Sequence, residues 1–332
     1  MHISTPEFDL IARYFQRPAL QALLGVGDDC ALFFASAGAA TAVSTDTLVC
    51  GRHFFSDVAP ETLGHKALAV NLSDLAAMGA TPRFFTLALT LPALDHAWLK
   101  AFSVGMFALA DQHAISLIGG DTTSGPLSIT ITVLGEVPAK LALKRANAQA
   151  DDDIYVSGTL GGAAIVLKHL QKKITLNAFD YAALSPRLFM PAPRINLGRA
   201  LLGVAHAAID VSDGLVADLA HICAASKVHA DIDFALIPAP SFSSNMPVDA
   251  RNQAIFGGGD DYELCFTAPV SARQRIAEIA LELSLSCTRV GKISAPNLGN
   301  TASRNNGVKV HNFVSGSGTA APSGYDHFAT SN

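Results

Sequence analysis

Charge is scarce in this chain. Only 15% of its 332 residues are Asp, Glu, Lys or Arg, against roughly 25% in an average soluble protein. The balance is acidic, with 28 acidic and 23 basic residues and a net charge of -5, so there is no basic excess to hold a nucleic-acid backbone, and nucleic acid is excluded as a partner. Cysteine is equally sparse. Cys30, Cys50, Cys223, Cys265 and Cys287 are odd in number and widely spaced, with no CxxC pair, which argues against a disulfide framework and a zinc site. Long apolar runs are missing: the stretches 87–91 and 200–209 are shorter or more interrupted than the ~20 residues that cross a bilayer, so no membrane span is expected. The opening MHISTPEFDLIARYF has no basic region followed by an apolar core and a small-residue cleavage site, so a cytoplasmic location is expected. The common nucleotide and hydrolase signatures are absent too: no GxxxxGK[ST], no GxGxxG opening a βαβ unit, no kinase-type catalytic loop, no GxSxG and no HExxH.

Half of the residues are apolar, enough in a chain of this length for two globular domains. Apolar residues at Phe8, Ile11, Ala12 and Phe15 recur at helical spacing, and ALFF (31–34) and TAVSTD (41–46) read as short strands. A helix is expected over 60–78, with proline near its start and Gly79 after its end, carrying Asn71 and Asp74 on one face. Strands over 84–91, 115–120 and 127–137 and a helix over 95–112 opened by Asp95 complete a first domain over 1–140. Between Pro138 and Asp153 periodicity is lost and charge rises, which marks a boundary. A second domain over 151–330 follows, with helices expected near 161–170, 194–203, 215–226 and 271–283 and apolar segments at 205–211, 229–234, 262–267 and 287–293. The fold class is therefore α/β in the broad sense that includes α+β. The last forty residues read mostly as loop until GYDHF (324–328).

Five segments share one grammar, an apolar stretch running into Asp among Gly, Ser or Thr: GVGDDCA (25–31), VSTDTL (43–48), IGGDTTSG (118–125), IDVSDGL (209–215) and GGGDDYEL (257–264). With Asp74 they place Asp28, Asp29, Asp46, Asp121, Asp210, Asp213, Asp260, Asp261 and Glu263 at strand ends or turns. Any one such motif is more often a turn than a ligand site, and Ser212 and Asp213 are expected as helix caps as well. His53 and Tyr325, read alone, are surface or core residues before they are ligands. Five acidic motifs in a charge-poor chain are harder to explain as turns. Two like charges 4 Å apart repel by roughly 4 kcal/mol at an effective dielectric near 20. Hard cations such as Mg²⁺, bridging carboxylates to a polyphosphate, are the simplest neutralisers. The neighbouring glycines let backbone amides approach an anion. Phosphoryl transfer needs mainly positioning and charge neutralisation, so such a site suffices without a protein nucleophile.

These motifs, together with EFDLIARYF (7–15), HKALAVNLSDLAAMGATP (65–82), LALTLP (87–92), LIGGDTTSGPLSIT (117–130), GGDDYELCFT (258–267) and GYDHF, resemble in content and order the thiamine-monophosphate kinase family. That family belongs to the superfamily of aminoimidazole ribonucleotide (AIR) synthetase and selenophosphate synthetase. The resemblance implies a two-domain AIR-synthase-like architecture, an N-terminal mixed sheet that pairs across a homodimer, and a C-terminal α/β domain. It implies transfer of the ATP γ-phosphoryl group to thiamine monophosphate with several Mg²⁺ ions. It further implies metal ligation by Asp29, Ser44, Thr45, Asp46, Asp74, Asp121, Asp210 and Asp213, ATP contacts from Gly120, Asp121, Arg145 and Ser212, and thiamine phosphate contacts from His53, Asp260 and Tyr325. The family pattern carries Glu where this chain has Asp260 and Arg where it has Ser124. The rival readings are another acceptor within the superfamily, or a metal-dependent nucleotide-binding protein that does not consume ATP.

Overall fold

The computed structural model describes residues 6–295 and 307–313. The chain divides into two units, Met1–Leu75 with Ala80–Lys140, and Ala76–Gly79 with Leu141–Asn332.

The first unit opens with helix α1 (Pro6–Tyr14), then β1 (Ala39–Val49), α2 (Pro60–Ala77), β2 (Thr81–Leu91), α3 (His96–Gln112), β3 (Ser116–Ser124) and β4 (Ser128–Pro138). The strands form one sheet in the order β1-β4-β2-β3. β4 is antiparallel to both β1 and β2, whereas β2 and β3 run parallel. Strand alternation gives the sheet two unlike faces. Leu48 stands opposite Ile129, and these two with Ile131, Val133, Leu87 and Leu89 are buried. The other face carries Val43, 61% exposed, and the cross-strand pairs Thr45–Thr132 and Thr47–Thr130, each with hydroxyls 2.8 Å apart.

Helix α2 is buried around most of its circumference, polar Lys66, Asn71 and Ser73 included. It meets α3 through two glycines: a Cβ on Gly64 would lie 2.1 Å from the Phe102 carbonyl oxygen, and one on Gly105 would lie 1.8 Å from that of Glu61. Asp95 caps α3 as its sequence position suggests, its carboxylate accepting from the amides of Ala97 at 2.9 Å and Trp98 at 3.0 Å. The segment ALFF does not form a strand. Only Leu32 pairs, as an isolated bridge to Leu24, and Leu32 and Phe34 are exposed, so no second strand offers a ladder to that run.

The second unit contains β5 (Asp153–Ser157), α4 (Gly162–Leu170), α5 (Ala178–Phe189), α6 (Ile195–Ala200), β6 (Ala207–Val211), α7 (Leu215–Ser226), β7 (His229–Asp233), α8 (Val248–Gly257), β8 (Glu263–Ala268), α9 (Arg273–Glu282), β9 (Cys287–Ser294) and β10 (Val308–His311). Its sheet runs β10-β7-β9-β5-β8-β6, antiparallel except for the β10–β7 pair. One apolar core joins Ile154, Ile209, Leu219, Phe256 and Val290 across the sheet and α7. A second joins Ile165, Val166, Leu184 and Leu188 where α4 packs against α5. Within the last forty residues, read mostly as loop up to GYDHF, the described residues include the short strand β10. GYDHF itself, with Tyr325, lies outside the described residues.

Candidate active site

In the first unit one acidic motif, on β1, meets Asp74 of α2. Ser44 and Asp46 alternate onto the same face of β1 and are half-buried. Asp74, one turn after Asn71 on α2, reaches that face: the Ser44 hydroxyl donates a short hydrogen bond to the Asp74 carboxylate. The Asp46 amide donates to Asn71 Oδ1 at 3.0 Å, and Asn71 is held in turn by donating to the Ala67 carbonyl at 3.0 Å. Thr45 does not join this group, because alternation turns its hydroxyl to Thr132 on the opposite face.

Gly120 and Asp121 lie on the edge strand β3, in register with Leu87 and Ala88. Gly120 has φ +152°, and a Cβ there would meet the Leu87 carbonyl oxygen at 1.9 Å; only glycine lets β3 pass so close. Asp121 is exposed. Asp29 is exposed in the bend after Gly27, its amide donating to Asp28 Oδ1 at 2.8 Å. His53 sits in the turn after β1 and accepts from the Val49 amide through Nδ1 at 2.9 Å. Among the described residues no three His, Cys, Asp or Glu side chains lie close enough together to hold a metal ion by themselves.

The second unit stitches two of the motifs together. Asp210, buried near the end of β6, faces Leu264, and Val211 faces Glu263 on β8. Beyond the strands the pairing continues irregularly: the Asp260 amide donates to the Ser212 carbonyl at 2.9 Å, and the Tyr262 amide to the Val211 carbonyl at 2.9 Å. Gly259 passes so close that a Cβ would lie 2.4 Å from the Ser212 carbonyl oxygen. Neither Ser212 nor Asp213 caps α7. Gly214 occupies the cap with φ +110° and offers no side chain. The role falls to Asp218 inside the helix, whose Oδ2 accepts from the amides of Ser212, Asp213 and Gly214 at 3.0, 3.1 and 3.1 Å. Burial, then the charges of Asp210 and Asp213, push the Asp218 carboxyl up to about 8, against the pull of those amides. Asp218 was not among the residues singled out from the sequence, although an Asp in the first turn of a glycine-opened helix is a recognisable signal.

Asp261 and Glu263 turn inward. Asp261 accepts from the Gly161 amide at 2.7 Å, and its burial pushes its carboxyl well above the ordinary range. Glu263 is wholly buried and accepts from Ser157, Arg187 and Arg194. Asp260 remains half-buried at the turn, with the Tyr262 hydroxyl donating to its Oδ1 at 2.9 Å. Arg145 lies in a short helical turn before β5, its carbonyl accepting from Ser226 Oγ at 2.7 Å.

Comparisons with known proteins agree with this division. Residues 27–137 match the family described as AIR synthase related protein, N-terminal domain, and residues 149–300 match the corresponding C-terminal domain. The chain is 46% identical over 329 residues to the thiamine-monophosphate kinase of Escherichia coli K12, covering 98% of each chain. It is 35% identical over 298 residues to that of Bacillus subtilis, covering 86% of this chain and 91% of the relative. The structure of thiamine-monophosphate kinase from Stenotrophomonas maltophilia K279a superposes with a TM-score of 0.82 at 46% identity, covering 91% of this chain and 95% of that one. A ThiL complexed with AMPPCP and TMP superposes with a TM-score of 0.74 at 26% identity, covering 89% of each chain. Both units are thus AIR-synthase-related domains. Within that class, the chain belongs to the thiamine-monophosphate kinase family.

Proposed function

We propose that this protein transfers the γ-phosphoryl group of ATP to the phosphate of thiamine monophosphate, forming thiamine diphosphate in one in-line displacement supported by Mg²⁺. The observation that carries the reading is the near-full-length identity to kinases of this activity, joined to acidic side chains on β1, α2 and β3 of the first unit and at the end of β6 and the turn before β8 in the second. The relative complexed with AMPPCP and TMP supports the same pair of substrates.

The donors at β1 and α2 fit a hard cation. Ser44, Asp46 and Asp74 offer only oxygen, and the Ser44–Asp74 contact brings a hydroxyl and a carboxylate to one point. In this reading Asp29, Ser44, Thr45, Asp46, Asp74 and Asp121 of the first unit and Asp210 and Asp213 of the second hold Mg²⁺. Thr45, whose side chain faces away, takes part through its main chain. Held by these residues, Mg²⁺ would supply charge neutralisation for the phosphate oxygens of donor and acceptor. Gly120, Asp121, Arg145 and Ser212 contact ATP, Arg145 offering a planar guanidinium suited to phosphate oxygens. His53, Asp260 and Tyr325 hold the thiamine phosphate, so that its terminal oxygen faces the γ-phosphorus. No residue acts as a covalent nucleophile.

We place the enzyme in the cytoplasm as a homodimer. No helix among the described residues is long and apolar enough to cross a membrane. The exposed Val and Thr face of the first sheet supports pairing with a second copy. The experiment is a phosphorus NMR time course with ATP, Mg²⁺ and thiamine monophosphate. Thiamine diphosphate is expected in step with ADP, and nothing in the presence of EDTA. Intact ATP, or ADP with free phosphate only, would overturn the assignment.

A further inference from the structure

The turn between α8 and β8 holds two non-glycine residues in the left-handed region, Asp260 with φ +68° and Tyr262 with φ +50°. Each such residue costs on the order of 1 kcal/mol or more and persists only where its surroundings over-determine it. Here they do, from four sides. The Asp260 and Tyr262 amides are bound to the Ser212 and Val211 carbonyls, Asp261 takes the Gly161 amide, and Glu263 is gripped by Ser157 and two arginines. The consequence of this contorted path is local: it curls Tyr262 back so that its hydroxyl, two residues on, donates to Asp260 Oδ1 at 2.9 Å. The Tyr262 ring is buried while Asp260 is only half-buried, so the hydroxyl comes to the carboxylate from the protein side.

We infer that Tyr262 is a positioning residue for the acceptor: its hydroxyl orients the Asp260 carboxylate toward the thiamine phosphate. The inference rests on the reading of Asp260 as an acceptor contact. It bears on what is particular to this chain, because Asp stands where the family pattern carries the longer Glu. A short carboxylate has fewer rotamers with which to find its ligand, and a hydrogen bond from a buried phenol selects among them. A hydrogen bond to a charged acceptor is stronger than one between neutral groups, so its loss is measurable.

The test compares Tyr262→Phe, which keeps the buried ring, with Asp260→Asn. In Tyr262→Phe the KM for thiamine monophosphate is expected to rise about tenfold. The KM for ATP and the Mg²⁺ dependence should stay at wild-type values and the thermal midpoint should barely move. A purely structural tyrosine would instead change both KM values together or neither. Wild-type KM for thiamine monophosphate in Tyr262→Phe, with a raised one in Asp260→Asn, overturns the role of Tyr262 alone. Wild-type KM in Asp260→Asn removes Asp260 from the acceptor site, and the inference falls with it.

Discussion

Arg194 Nε lies 2.6 Å from Oε2 of Glu263, a carboxylate with no exposed surface. The second terminal nitrogen of Arg194 reaches Oε1, making the pair bidentate, and Arg187 joins at 3.2 Å with Ser157 Oγ at 2.6 Å. A Cβ on Gly158 would meet the same carboxylate at 2.1 Å, so the loop after β5 is shaped around it. Glu263 therefore fixes the end of an acidic motif in which Asp261 is also turned inward and Asp260 alone stays half-buried at the turn.

Removing Glu263 should be costly for folding. Glu263→Ala leaves Arg194, 19% exposed, without its partner, and breaking one side of a buried ion pair costs about 3–5 kcal/mol. Urea unfolding followed by circular dichroism checks this. A loss under about 1 kcal/mol would mean that the arginines find solvent easily and that the cluster is not an anchor.

Much of this organisation was legible in the residues, and its gaps have physical reasons. α2, α3 and α7 announce themselves by proline, aspartate and glycine at their ends, and β4 by its alternation. α5 did not, because Pro186 sits inside it, a residue that ordinarily marks a helix boundary. α8 ends in three glycines that look like loop. The acidic motifs were visible, but not which carboxylates turn inward: Asp261 and Glu263 differ from Asp260 only by strand alternation and by partners 69 to 106 positions away. Asp218 was missed because its bonds to the loop amides depend on the turn that glycine 214 allows.

Asp153 gives a dependence on pH. Hydrogen bonds from Arg273 at 2.6 and 2.9 Å, with Arg289 adding to them, hold its carboxyl below the ordinary range against the opposing effect of burial. A depressed carboxyl stabilises the fold fully above its unfolded pKa, roughly 3.9, and loses that contribution as pH falls through the folded value. The stability difference between wild type and Asp153→Asn should therefore be constant from neutral pH to about 5 and shrink below about 4. Urea midpoints for both proteins across that range test it. A gap that widens on acidification would reverse the sign of the argument.

A glycine at the α2–α3 crossing can be compared directly with one on β3. Gly105→Ala would force a methyl to within 1.8 Å of the Glu61 carbonyl oxygen, and backbone cannot yield as a side-chain tip can. A loss of about 3 kcal/mol is expected. Gly119→Ala, where nothing lies within 4 Å of the new Cβ, should change stability by less than about 1 kcal/mol. Equal effects at the two sites in thermal unfolding would show that helix separation there is not set by the glycine.

Asp46→Asn separates the site from the scaffold. The Asp46 main-chain amide is bound to Asn71 Oδ1 at 3.0 Å, and the substitution leaves that bond in place. Asn also matches the carboxylate in shape, so folding should be unaffected, with a change in unfolding free energy under about 1 kcal/mol. What is lost is one negative charge on the face of β1 that also carries Ser44. If that charge holds Mg²⁺ against the transferring phosphoryl group, turnover should fall by about 100-fold or more. The Mg²⁺ concentration for half-maximal rate should rise, because a neutral amide oxygen is a poorer ligand for a hard cation. Direct titration of Mg²⁺ by calorimetry with AMPPCP present reads the same loss without turnover. Wild-type turnover together with wild-type Mg²⁺ affinity would take Asp46 out of the metal site and leave Ser44 and Asp74 as a structural contact between β1 and α2.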